Sequence, residues 1–191
     1  MNKIAFSGEN VSISYIWEWY QTSEKAMRRE KKRIIDAFFA DSDVEDFFVG
    51  MTREDVDSYF EEHKRELDFL VCFDIISASE ACLRLDYLSR VYEKLKDPVS
   101  RKFRVLYKQS GSRIRLSEDI LDAWLEEYPS CKSVIGQFRG SLHLRDWLAH
   151  GRYWVPKKIG RKYTPVDVFD VADRLFENLP AEFEWFAKEN G

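Results

Sequence analysis

Residues 67–88 read LDFLVCFDIISASEACLRLDYL. Leu67, Leu70, Val71, Ala78, Ala81, Leu85 and Leu88 recur at three and four residues, the spacing of one core-facing stripe on an α-helix. Upstream, Thr52-Arg53-Glu54-Asp55 has the form of a helix start. Thr52 caps, and acids fill the first turn, where the helix dipole favours them. The helical pattern, in one piece or two, runs on to about Lys96. Asp97-Pro98 ends it, because the residue before a proline is pushed out of helical backbone.

Working outward, the same periodicity covers most of the chain. Residues 16 to about 39 are helical and charged. Lys25, Arg28, Arg29, Lys31, Lys32 and Arg33 there form either a solvated face or an RNA-contacting one. Residues 1–15 hold two short apolar runs, Ile4-Ala5-Phe6 and Val11 to Tyr15, read as a small hairpin or an irregular arm. Residues 99–108 form a short helix, and Ser110-Gly111-Ser112 a loop. Ser117 caps a helix that Pro129 stops after Tyr128, and Ser130 caps the next. That helix draws its apolar surface from Ile135, Phe138, Leu142, Leu148 and Ala149. Gly151 fits the left-handed position that closes it. Thr164-Pro165, with Asp167 in the first turn, opens the last helix. Val166, Phe169, Ala172, Leu175, Phe176 and Leu179 give its buried face. Nothing from residue 50 onward reads as a sheet. The expected fold is all-α: a helical domain over residues 51–191, with an N-terminal extension over 1–50.

Composition bounds the function classes. The chain has 191 residues, 45% of them apolar and 15% aromatic, which is ample for a core. At 34% charged residues, disorder is not expected. A net charge of −4 argues against wholesale attraction to nucleic acid, so any anion site is a local patch. Cys72, Cys82 and Cys131 lack CxxC spacing and lie in apolar helical contexts, so buried free thiols in a reducing compartment are expected. No signal pattern or membrane-length apolar run is seen, and the expected location is the cytoplasm.

Arg145-Asp146-Trp147-Leu148-Ala149-His150-Gly151 carries the chemistry. It sets an arginine, a carboxylate and one of only three histidines within six residues. Asp146 and His150 are neighbours at i,i+4, so the carboxylate can take a hydrogen bond from one imidazole nitrogen and leave the other free. Arg145 and His150 lie about 140° apart on an ideal helix. They converge only if the helix ends near His150, which Gly151 allows. An RNA strand brings its own nucleophile, the 2′-hydroxyl. A histidine can move the proton, and an arginine can hold the phosphate. From Arg139 to Lys162 the basic residues are Arg139, Arg145, Arg152, Lys157, Lys158, Arg161 and Lys162, against the single acid Asp146. With Trp147, Tyr153 and Trp154 interleaved, the segment suits RNA. The opposing reading is a structural network, with the aromatics in the core or at a dimer interface.

Asp74 falls within the apolar stripe, where a carboxylate must be paired. Glu80 and Arg84 lie on an adjacent face at i,i+4. Either Asp74 or Glu80 is a candidate to approach and position Arg145; the alternative is a structural ion pair. His63 and His143 look incidental. The sequence shows no metal-ligand spacing, P-loop, dinucleotide fingerprint or Ser/Cys triad, so no metal or cofactor is expected.

Arg145, Asp146, three further residues and His150 resemble the arginine, polar, three-residue, histidine signature of the HEPN superfamily. Phe138-Arg139-Gly140 and Ala149-His150-Gly151-Arg152-Tyr153-Trp154 look most like its RiboL-PSP-HEPN branch. The resemblance spans roughly residues 60–185 and includes Phe73-Asp74 and Ala78-Ser79-Glu80-Ala81. It implies a HEPN-like helical bundle and a homodimer with two motifs facing one cleft. It further implies a metal-independent endoribonuclease, with Arg145 and His150 catalytic and Asp146 as polar modulator. Members commonly serve as toxins with an antitoxin protein partner, or in phage defence. One group carries a tyrosine two residues after the histidine, where its antitoxin modifies it. Arg152 stands at that position here, and Tyr153 follows. The alternative is a non-catalytic HEPN module that binds RNA, a nucleotide or a nucleotidyltransferase-like partner.

Overall fold

A computed structural model describes residues 4–40, 45–156 and 163–179. Among them the only regular elements are helices. They are α1 (Ile13–Phe39), α2 (Arg53–Tyr92), α3 (Pro98–Ser110), α4 (Leu121–Glu127), α5 (Lys132–Ala149) and α6 (Pro165–Asn178). Short 3-10 turns occupy Asp46–Phe48 and Pro129–Cys131, and a π-helical turn, Leu116–Ile120, leads into α4. The chain is all-α. Residues 4–12 form an irregular arm, not a hairpin. No helix of the described residues is long and apolar enough to cross a membrane.

The helix ends follow local chemistry. Thr52 and Asp55 bond reciprocally through side chain and backbone, a capping box at the start of α2. Thr164 and Asp167 repeat the device on α6, with Pro165 in the first turn. Asp97 caps α3 by accepting the Ser100 N–H at 3.0 Å. Two expected caps are corrected. Ser117 lies inside the π turn, and Asp119 instead reaches back to the Arg115 N–H at 2.9 Å. Ser130 lies in a 3-10 turn, and α5 starts without a side-chain cap.

Two compact units divide within α2. One is Ser14–Val71; the other joins Met1–Ile13 to Cys72–Gly191. In the smaller unit, Ile34 of α1 packs with Phe48, Val56 and Phe60, flanked by Met27, Phe38 and Tyr59. Most of the basic run on α1 is paired within this unit: Arg28 with Glu24, Lys31 with Asp57, Lys32 with Asp36, and Arg33 with Glu30 and Glu45.

In the larger unit the arm meets the end of α2. The Tyr92 hydroxyl accepts the Ile4 N–H at 2.9 Å, and its ring lies against Phe6. The core is built on Ile75, Leu83, Tyr87, Phe103, Trp124, Phe138 and Leu175, all fully buried. Helix α3 packs on α4, α4 on α5, and α5 on α6. Cys72, Cys82 and Cys131 are free and buried.

The apolar stripe on α2 is rotated from its expected position. Leu70 and Asp74 are exposed, and Ala78, Ala81 and Leu85 only half-buried. The buried face instead runs through Val71, Ile75, Ile76, Ser79, Cys82, Leu83, Asp86, Tyr87 and Arg90. It tolerates polar residues because each finds a partner. Ser79 donates back to the Ile75 carbonyl at 2.7 Å. Arg90 meets Asp86 at 2.7 Å, with both side chains only 5% exposed. Arg90 also reaches Asp97 at 3.2 Å and lies 5.0 Å from the Trp124 ring. The last-turn site therefore rests on a helix whose polar residues are used as ties.

Removing one partner of the Asp86–Arg90 pair leaves a buried charge uncompensated. Asp86→Ala or Arg90→Ala should each lower stability by about 3–5 kcal/mol, read from denaturant midpoints. Asp97 gives a pH signature. Burial raises its carboxyl, but the Ser100 hydrogen bonds and the Arg90 charge outweigh this and hold it below its ordinary 3.8. Its contribution is thus full above pH 3.8 and is lost as pH falls through the lower folded value. Thermal melts of Asp97→Asn should show less acid sensitivity in that range than the parent.

Candidate active site at the end of helix α5

Helix α5 stops at His150 because the next residue is glycine. Gly151 takes a left-handed φ of +74°. Its N–H bonds to the Leu148 carbonyl at 3.1 Å, and the Arg152 N–H to the Trp147 carbonyl at 3.0 Å. These are the two bonds of a Schellman motif. Arg152 follows with φ +60°, a conformation that costs a side-chain-bearing residue about 1–2 kcal/mol. The chain then turns back. Trp147 Nε1 donates to the Trp154 carbonyl at 2.8 Å. Trp154 lies 5.9 Å from the His150 ring, centre to centre.

His150 is exposed at this corner. Its Nδ1 lies 2.7 Å from the backbone carbonyl of Asp146. A carbonyl only accepts, so Nδ1 carries the proton and Nε2 is the nitrogen left for chemistry. The Asp146 carboxylate, expected from its spacing to hold the imidazole, does not make this bond. The i,i+4 spacing is right but the acceptor is the main chain, whose oxygen also takes the His150 N–H at 3.1 Å. His63 makes the same kind of bond to the Tyr59 carbonyl in mid-helix. The bond fixes a tautomer; it is not in itself a mark of catalysis.

What distinguishes His150 is an arginine five residues earlier on the same helix. Arg145 Nη2 lies 2.6 Å from Glu80 Oε2, and Arg145 Nη1 3.3 Å from Asp146 Oδ1. Its Nε is buried with no hydrogen-bond partner among the described residues. Glu80 is 17% exposed and is held in turn by Arg84, whose Nε and Nη2 reach Oε1 at 2.9 and 2.8 Å. Arg84 Nη1 donates to the Ile114 carbonyl at 3.0 Å. The two oxygens of Glu80 thus serve two arginines, one fixed to the scaffold and one at the helix end. Of the two candidates for approaching Arg145, Glu80 does so.

Asp74 is not at a core position. It is exposed, and Arg145 pairs with Glu80 and Asp146 instead; desolvation of the covered part of Asp74 raises its carboxyl above the ordinary value. The rotated stripe explains the misplacement. Arg139 is turned into the domain, where Nη2 donates to the Ser117 carbonyl at 2.7 Å and to Asp122 at 2.5 Å. These bonds hold one end of the guanidinium against the domain. Arg152 and Tyr153 are exposed beside His150. Lys157, Lys158, Arg161 and Lys162 lie outside the described residues. His143 is exposed. Among the described residues no group of three or more His, Cys, Asp or Glu side chains is placed to hold a metal ion.

Two features escaped the sequence reading. Arg84 was visible as an i,i+4 partner of Glu80, but its tie to Ile114 joins residues thirty apart and leaves no local signal. Gly140 is the other. A Cβ there would stand 2.7 Å from the Tyr163 hydroxyl, so glycine lets that side chain lie against α5.

Comparison of the chain with protein-family models, with curated proteins and with solved structures finds no match.

Gly140→Ala forces the Tyr163 hydroxyl to move, which offsets the gain of about 1 kcal/mol that alanine brings to a helix interior. Tyr163→Phe removes the clashing atom. In thermal melts the double variant should be more stable than the sum of the two single effects.

Proposed function

We propose that the chain is an endoribonuclease that cleaves RNA by attack of the 2′-hydroxyl on the adjacent phosphate. The observation that carries this reading is the presence on the last turns of one helix of both a tautomer-fixed His150 and an Arg145 held by Glu80. Neutral Nε2 of one copy can take the 2′-hydroxyl proton, and the protonated imidazole of a second copy can give a proton to the departing 5′-oxygen. Arg145 binds the phosphate and stabilises its developing charge. The phosphate replaces the Asp146 carboxylate at Nη1, while Glu80 keeps the guanidinium in place. The step leaves a 2′,3′-cyclic phosphate or its hydrolysed form. It needs no metal in this scheme.

One histidine cannot act as base and acid in the same step. The reading therefore takes a homodimer in which a second copy supplies the second imidazole. The resemblance to the HEPN superfamily supports the same arrangement. It also supports a toxin or phage-defence role, with an antitoxin protein as partner. The chain would act in the cytoplasm, where Cys72, Cys82 and Cys131 stay reduced.

A second reading has an observation of its own. Arg145 is already engaged by two carboxylates, as in a purely structural network. In that case the domain is a non-catalytic module that binds RNA, a nucleotide or a nucleotidyltransferase-like partner.

His150→Ala should lower RNA cleavage by about 10² to 10⁴-fold with an unchanged melting temperature, since the side chain is exposed. Arg145→Lys should lower it about 10² to 10³-fold, because an ammonium does not reproduce the guanidinium fork. Gel assays on a labelled RNA measure both. Cleavage by purified His150→Ala equal to the parent would overturn the nuclease reading and favour the module.

A further inference from the structure

We propose that Tyr153 and Trp154 form a platform on which one unpaired RNA base stacks beside His150. This rests on the nuclease reading and adds a specificity-determining element to it.

Tyr153 is 81% exposed, so its ring contributes little to the core. Yet its position is well defined. It stands edge-on to Trp154, with ring centres 4.7 Å apart. Trp154 is tied through its carbonyl to Trp147 and flanks the His150 ring. Two consecutive left-handed residues, Gly151 and Arg152, aim the segment into this turn. The local strain at Arg152 and the tryptophan tie thus serve to hold an aromatic face open to solvent next to the proposed reacting group.

That chemistry suits a nucleobase. An unpaired base offers a flat apolar face, and stacking on an aromatic ring is largely independent of base identity. The base and the 2′-hydroxyl belong to one nucleotide. Stacking therefore brings the nucleophile alongside Nε2 while Arg145 takes the phosphate. A paired base has its faces covered by its neighbours, so the platform selects single-stranded segments. The exposed arginine within the same turn, Arg152, complements the strand's charge. The other occupant such a face could take is a second copy of this chain.

The test uses the full chain and a 2′-O-methyl RNA oligonucleotide, which has no free 2′-hydroxyl and cannot be cut by this route. Affinity is read by fluorescence anisotropy for the parent, Tyr153→Phe and Tyr153→Ala. Tyr153→Phe should bind like the parent. Tyr153→Ala should bind about 5- to 150-fold more weakly, the equivalent of one base–aromatic stack. Placing a single abasic nucleotide at the stacked position should abolish the difference between parent and Tyr153→Ala. Equal binding by parent and Tyr153→Ala overturns the platform, as does a parent that binds no oligonucleotide. A change of oligomeric state in Tyr153→Ala with RNA affinity untouched also overturns it, and assigns the face to a second copy. The two levels separate cleanly. A parent that cuts native RNA while Tyr153 is silent in binding fails the platform alone. Tyr153-dependent binding by a parent that cuts nothing fails the nuclease reading and keeps the platform.

Discussion

Glu80 holds two guanidiniums, and the placement of Arg145 at the end of α5 follows from that bridge. A carboxylate mostly withdrawn from water needs a partner for each oxygen. Arg84 supplies one from the next turn of α2 and anchors the pair to the Ile114 carbonyl. Arg145 supplies the other from α5. The bridge fixes the last turns of α5 against α2, so the orientation of Arg145 is set before any ligand arrives. A positively charged fork whose reorganisation has been prepaid is what electrostatic stabilisation of a phosphate requires. Asp86 and Arg90 repeat the logic further along α2, tying it to α3 through Asp97 and Ser100.

The end of α5 converts this scaffold into a corner. Arg145 and His150 stand five residues apart at the end of α5, the His150 N–H still making a helical bond to the Asp146 carbonyl. The Schellman turn at Gly151 ends the helix at His150, and the Asp146 carbonyl holds the imidazole with Nε2 free. Asp146 then has a different task from the one its spacing suggests. Its carboxylate sits by Arg145 and shields the free edge of the guanidinium. Trp147 ties down the returning chain and keeps Trp154 and Tyr153 at the same corner.

Much of this was legible in the residues. The capping boxes at Thr52 and Thr164, the left-handed Gly151 and the all-helical class follow from local chemistry, which a sequence displays directly. Features that depend on partners from elsewhere did not. The stripe on α2 was read through Leu70 and Ala78 because hydrophobicity alone ranks them above Ser79, Asp86 and Arg90. Those polar residues are buried only because α3, α4 and their own preceding turns complete their bonds. Asp74 was misplaced for the same reason. On α6, Val166 is exposed while Val168 and Val171 are buried, a similar rotation of a correctly read helix. At the site, spacing placed Asp146 beside His150 but could not choose between its carboxylate and its carbonyl. Arg139, a phosphate ligand by composition, also donates to Asp122 and the Ser117 carbonyl.

The central claim is that this corner drives attack by a 2′-hydroxyl. The most direct measurement is product analysis on an RNA that carries a single 2′-deoxy nucleotide at the mapped cut site. The account predicts that cutting at that position disappears, and that the unmodified RNA yields 2′,3′-cyclic phosphate or its hydrolysed form with a 5′-hydroxyl. Cutting that persists at the deoxy position, or products bearing a 5′-phosphate and a 3′-hydroxyl, would contradict it.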